Sequence, residues 1–382
     1  MIDDRFDDIR PYYEEEIPAA MQRIAASDAF PLISSFVFPS IPTEEARKMV
    51  ASIQSIEEFQ SKVMSVFNDQ VVERSITNFS FGGLDLIEKG KPYLFVSNHR
   101  DIVLDSSLLQ NVLYKNGFET TEITFGANLM CSPLIIDIGK SNKMFRVERG
   151  ATPKEFYRHS LHLSEYIHHV IEDKQKSVWI AQRNGRTKDG NDHTDQGIIR
   201  MFEMGGNGDK VKSLNSLNIV PVCVSYEWES CDILKSIELY IRRTQKYIKR
   251  PGEDVNSILT GITDPKGRVH FEICEPIHIE ELELLSDCTQ NEFNNRVARL
   301  MDKRINSKFH LWPNNYIAHD ILFGEKRYQD QYTDAEYQSF MDRIKCLHEM
   351  GSMEQYEVSD LDVLTDIFLK IYATPVDNKV ID

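Results

Sequence analysis

In VSNHRDIVLD, residues 96–105, a histidine, an arginine and two aspartates follow the apolar run Tyr93-Leu94-Phe95-Val96 with no turn residue between them. Ionisable groups are costly to bury, so their place at the end of a strand-like run asks for a reason. A neutral imidazole can take a proton from an alcohol, and a carboxylate beside it fixes its tautomer and stabilises the imidazolium. His99 stands just past the run, and Asp101 and Asp105 open the helical pattern SSLLQNVL. A loop histidine with two acids at a helix N-terminus would read the same way, since the helix dipole favours acids there. A second block, SVWIAQRNGRTKDGND (177–192), ends a β-type run in a glycine-containing turn that carries Arg183, Arg186 and Lys188. Fixed cations and exposed N–H groups suit a phosphate, and a plain basic hairpin turn is the other reading. In NKMFRVERG (142–150), extended geometry puts Arg149 on the same face as Phe145 and Val147 and turns Arg146 away. An arginine among apolar groups needs an anion there.

Those residues need elements to place them. After Ile76 the runs ITNFSFGGLDLI, KPYLFVSN, TEITFGANL, SVWIAQRN, LNIVPVCVSYEW and KGRVHFEICEPI are β-type, and several of the segments between them read as helices. Such alternation implies an α/β fold with one mixed central sheet flanked by helices. Ligands then bind where strand ends meet helix N-termini. Residues 1–72 read as an N-terminal helical region, 73–312 as the α/β domain and 313–382 as a C-terminal helical extension. The proline-bounded stretch FPLISSFVFPSIP (30–42) is expected to be a packed cap, with a membrane contact as the alternative.

With 41% hydrophobic and 27% charged residues the chain is an ordinary globular one. No run nears the roughly 18 apolar residues of a spanning helix, and the acidic start MIDDRFDDIR is unlike a signal peptide, so a cytoplasmic protein is expected. Six cysteines without paired spacing read as reduced core thiols. The net charge of −16 disfavours nucleic acid as a partner, yet residues 143–188 hold ten Lys or Arg against five Asp or Glu, which suggests one anionic ligand. His168 and His169, adjacent on a helical pattern, cannot share a face and read as surface or interface groups; no metal site and no cofactor are expected.

In order and spacing these blocks resemble the glycerophospholipid acyltransferase family. NHRDIVLD is similar to its histidine–aspartate block, MFRVER to its aromatic–arginine block and QRNGRTKDG to its glycine–arginine turn. IVPVCVSYE resembles its apolar run with a central proline, and GRVHFEICEPI the strand that closes the domain. The likeness covers about residues 76–280. It departs from the family twice. Five residues separate His99 from Asp105 where the family has four, and one residue of helix turns a side chain by about 100°. Either a bulge restores Asp105 or Asp101 orients the ring, and Asp105 is the expected partner. The family's glutamate falls on Arg183 or Asn184, neither a carboxylate.

The resemblance implies an O-acyltransferase of phospholipid synthesis. Its acyl donor would be acyl-CoA or acyl carrier protein, and its acceptor glycerol-3-phosphate, a lysophospholipid or another hydroxylated lipid such as an aminolipid. His99 would be the base and Asp105 its partner; Arg149, Arg183, Asn184, Gly185, Arg186 and Lys188 would bind substrate. An apolar groove for the acyl chain is expected from Phe125 to Gly139 or from the N-terminal stretch. Amphiphilic substrates imply peripheral contact with the inner membrane face. The basic run YIRRTQKYIKR, residues 240–250, would touch headgroups or be a solvated helix. A lipid-binding protein that keeps the fold without catalysis is the rival reading.

Overall fold

The computed structural model describes residues 4–148, 150, 152–356 and 358–380. Seven strands, β1 (Ile76–Gly82), β2 (Leu94–Ser97), β3 (Glu122–Gly126), β4 (Met144–Val147), β5 (Val178–Ala181), β6 (Ile219–Tyr226) and β7 (Gly267–Ile273), form one sheet. Its order is β1-β7-β6-β2-β5-β3-β4, and β6 and β7 are antiparallel where the other neighbours are parallel. The sheet is mixed and helices flank it.

The central strands are apolar without alternation because both sheet faces are covered. Leu94, Val96, Val178 and Ile180 face one core with Phe145, Phe202, Phe293 and Met301. Phe95, Trp179, Val220, Val222 and Val224 face the other, with Leu104 and Leu108 of the Leu104–Lys115 helix. In β7, by contrast, buried and partly exposed residues alternate. Pro221 sits in a central strand, and its carbonyl still accepts from Cys274 N on the β7 side at 2.9 Å.

The helices before β1 have their own apolar cluster and meet the domain through Leu134 and Ile138 of the Pro133–Ser141 helix. Tyr12 and Arg23 clamp that helix by donating to buried Asp137, at 2.7 and 2.9 Å. The 30–42 stretch contains a helix, Phe30–Val37, started by Pro31; Phe30, Val37 and Phe38 are buried while Leu32 stands out. The C-terminal helices pack Ile317, Phe340, Leu364, Phe368 and Tyr372 on Ile233 and Ile237 of the Asp232–Arg242 helix. Of the six free cysteines three are buried, but Cys131 and Cys346 are exposed, so they are not all core thiols. His168 corrects the reading of both histidines as surface or interface groups. Its neighbour is only partly covered, while His168 is buried with Nε2 2.8 Å from the Phe202 carbonyl and Nδ1 2.8 Å from Glu172.

Candidate active site

Parallel pairing brings the ends of β2 and β5 side by side, with Ser97 opposite Ala181. Beyond the last rung the contact continues, because Gln182 N donates to Ser97 O at 2.8 Å and Thr187 N to His99 O at 2.7 Å. The turn bearing Arg183 and Arg186 is therefore bonded to the backbone of His99.

Asp105 reaches back from the first turn of the Leu104–Lys115 helix. Its Oδ2 lies 2.8 Å from His99 Nδ1 and accepts the N–H of Arg100 at 2.6 Å and of Asp101 at 2.9 Å; its Oδ1 accepts the Tyr226 hydroxyl at 2.9 Å. Burial and the Asp105 charge raise the Tyr226 pKa well above its ordinary value, so the phenol stays a donor. A carboxylate with this donor set accepts the hydrogen bond of Nδ1–H, which leaves the lone pair on Nε2. Nε2 has no hydrogen bond among the described residues. The ring keeps 15% of its side-chain surface exposed and meets the edge of Trp179 at 6.0 Å.

Asp101 does not touch the ring. Its Oδ1 accepts the N–H groups of Val103 and Leu104, both at 2.8 Å, and its Oδ2 accepts from Ser230. This local turn takes up the extra residue of the block before the helix starts.

Behind the histidine lies a buried charge network that sequence reasoning missed. Arg100, 2% exposed, donates Nε and Nη2 to Asp192 at 3.0 and 2.6 Å, Nη1 to Glu229 at 3.1 Å and Nη2 to the Gly190 carbonyl at 3.2 Å. Burial works against its charge, but Asp192 and Glu229 outweigh that and raise its pKa. Lys235 joins Glu229 at 2.5 Å and the Arg100 carbonyl at 2.7 Å. Asp192 also accepts from Asn98 at 2.8 Å and Thr187 at 2.7 Å, which ties the first block to the third. Two buried cations thus balance two buried carboxylates, as burial requires. Only Arg100 carried a signal in the sequence, an arginine directly after a buried strand; Asp192, Glu229 and Lys235 read as ordinary loop and helix charges.

The remaining residues singled out in the sequence are placed as follows. Gly185 has φ +79°, and nothing would lie within 4 Å of a side chain there, so the turn is open on that side. Asn184 is exposed. Arg183 folds back over its own loop toward the Asn191 carbonyl at 3.5 Å. Arg186 carries a buried guanidinium nitrogen, Nη1, without a hydrogen-bond partner among the described residues. Lys188 points elsewhere: its ammonium pairs with Glu238, a buried carboxylate that needs a cation, so it is committed to the protein. Burial lowers its pKa despite Glu238. Arg149 lies outside the described residues. Of the apolar 125–139 stretch, Leu129, Met130 and Ile135 pack partly buried on the sheet core, and Leu134 and Ile138 on the N-terminal helices. Among the described residues no group of His, Cys, Asp and Glu could hold a metal ion.

Residues 78–225, from within β1 to within β6, match the family model described as Acyltransferase. No curated protein matches the chain. Among solved structures the chain is similar to the 1-acyl-sn-glycerophosphate (LPA) acyltransferase PlsC from Thermotoga maritima. That similarity has 13% identity and a TM-score of 0.36, over 76% of this chain and 97% of that one. The family match spans the histidine–aspartate pair and the arginine turn, and the protein is an acyltransferase. By this match residues 78–225 form an acyltransferase domain.

Proposed function

We propose that the protein transfers a fatty acyl group from a thioester, on coenzyme A or acyl carrier protein, to a hydroxyl of glycerol-3-phosphate or 1-acylglycerol-3-phosphate, working at the inner face of a membrane. The observation that carries this reading is an imidazole with Nδ1 fixed by Asp105 and Nε2 free, bonded through its own carbonyl to the turn that holds Arg186. His99 Nε2 takes the acceptor's hydroxyl proton as that oxygen forms a bond to the thioester carbonyl carbon. The tetrahedral intermediate then collapses, the C–S bond breaks, and the thiolate leaves with the proton returned from the imidazolium. General-base help of this kind is worth about 10²- to 10⁴-fold.

Arg186, with its unpartnered buried nitrogen, and Arg183 would hold the acceptor phosphate, with Arg149 as a further candidate. N–H groups of the open turn at Gly185 would receive the oxyanion. Leu129, Met130 and Ile135, beyond the end of β3, would start the path for the acyl chain. Membrane work would be peripheral: no helix among the described residues is long and apolar enough to cross a membrane.

The test is release of free thiol from palmitoyl-coenzyme A in the presence of glycerol-3-phosphate or 1-acylglycerol-3-phosphate. Acceptor-dependent release by the wild type, lost in His99→Ala, is expected. Release that survives His99→Ala would remove the histidine from the chemistry, and no release with any glycerol phosphate acceptor or carrier would remove the substrate assignment.

A further inference from the structure

We propose that the Glu253–Thr263 helix and the loop before it form the surface by which this protein docks on an anionic lipid bilayer. The inference rests on the reading that its substrates are lipids and names the face through which they arrive.

The helix carries large apolar residues on its outer face. Its buried positions hold the small residues Ser257 and Gly261, while Val255 and Leu259, one turn apart, are 42% and 54% exposed. A surface helix normally turns its larger apolar residues inward. Here the positions that face the loop after His99 have no room for them. A side chain at Gly261 would come within 2.3 Å of the Asp101 carboxylate, and Cys231 Sγ donates to the Ser257 carbonyl at 3.3 Å. Close approach to the loop after His99 fixes small residues at 257 and 261; Ile262 packs partly buried on the sheet core, while Val255 and Leu259 are left pointing outward.

The same contacts locate the helix. Asn128, just past β3, donates to Asp254 at 3.2 Å, and Gly261 rests on Asp101, just past β2. The helix therefore lies across the strand ends as a roof over the site, and the positive field of Arg186 reaches both Asp254 and Cys231 beneath it.

Charge selects the occupant. The chain carries −16, yet residues 240–250 contain five Lys or Arg and no acid. Arg242 and Lys249 are paired with Glu238 and Asp254, and Arg250 donates to the Gln355 carbonyl. Arg243 and Lys246 stay exposed, with Ile248 between them and the helix at 79% exposure. Single apolar side chains standing clear of the surface among cations are suited to an interface where acyl chains lie under negative headgroups. At the same end of the sheet, the Pro153–His168 helix that follows β4 carries Phe156 and Tyr157 near its start, 60% and 58% exposed.

The full-length protein is sedimented with vesicles of phosphatidylcholine, with and without phosphatidylglycerol. Wild type is expected to bind the anionic vesicles and to be released by added salt. The pair Ile248→Asp and Leu259→Asp should weaken that binding about tenfold or more. Ile248→Asp alone, at a side chain too exposed to affect folding, should weaken it in part. Leu284→Asp, at an 84% exposed position by the opposite end of the sheet, should not change it. Absence of vesicle binding by wild type, equal binding to both vesicle types, unchanged binding by the double variant, or an equal loss in Leu284→Asp would each overturn the proposal; the first would leave an acidic carrier protein as the occupant of the basic run. Thiol release with soluble glycerol-3-phosphate, without vesicles, is measured on the same proteins. If wild type lacks it, the acyl-transfer reading fails while the sedimentation result stands by itself.

Discussion

Oδ2 of Asp105 lies 2.8 Å from Nδ1 of His99 and at the same time accepts the N–H groups of Arg100 and Asp101, the two residues that follow the histidine. The imidazole is thus fixed to the backbone segment that bears it. Asp105→Asn keeps the shape and can still accept from the two N–H groups, but it removes the negative charge that stabilises an imidazolium. Turnover is expected to fall about 10²- to 10⁴-fold, in kcat more than in KM, with the circular dichroism spectrum unchanged. An Asp101→Asn variant should lose far less turnover, because Asp101 serves the helix start and not the ring. Equal losses in the two variants would contradict this division of roles.

Arg100 gives a stability prediction. Removing one member of a buried, hydrogen-bonded charge group leaves the others uncompensated, at a cost of about 3–5 kcal/mol. Arg100→Met should therefore lower the urea midpoint sharply, with Asp192 left without a cation and Glu229 held by Lys235 alone. Adding Asp192→Asn should recover part of that loss, since it removes one orphaned charge. A double variant as unstable as the sum of the two singles would show that the residues do not act as a unit.

The sheet was legible because strands buried on both faces announce themselves as unbroken apolar runs: VWIA and IVPVCVSY read directly as β5 and β6. The pairing of His99 with an aspartate was legible only as a choice between two residues. The deciding feature, an Asx turn at Asp101 that absorbs one residue, depends on backbone geometry that spacing does not contain. Partners of Arg100 were invisible for another reason. Asp192, Glu229 and Lys235 lie 92, 129 and 135 residues away, and nothing local marks a charge that folding will bury. Lys188 shows the reverse case: a cation in a suggestive turn has its own buried acid, Glu238, on a helix some 50 residues on.

Glu203 should make stability depend on pH. Burial pushes its carboxyl up to about 7, against a hydrogen bond from Gln290 and the charges of Lys210 and Arg200. A carboxyl with a raised pKa binds its proton more tightly folded than unfolded. Its contribution is fully present below the unfolded value of about 4.5 and is lost as pH rises through about 7. Glu203→Gln keeps the neutral shape at every pH. Its melting temperature should match wild type near pH 4.5 and exceed it at pH 8; a constant difference at all pH values would rule out this titration as the cause.

Arg186 couples stability and binding with opposite signs. A buried guanidinium nitrogen without a partner costs about 1–3 kcal/mol of desolvation that no protein group returns. An acceptor phosphate would return it on binding. Arg186→Met deletes that nitrogen while keeping much of the aliphatic stem. The variant should melt higher than wild type in the absence of substrate, and its KM for glycerol-3-phosphate should rise about tenfold or more, with KM for the thioester little changed. Inorganic phosphate should raise the melting temperature of wild type and not of the variant, a readout independent of turnover. A variant that melts lower, binds glycerol-3-phosphate as wild type does and still responds to phosphate would mean that the nitrogen finds its partner in the protein and that the anion site lies elsewhere.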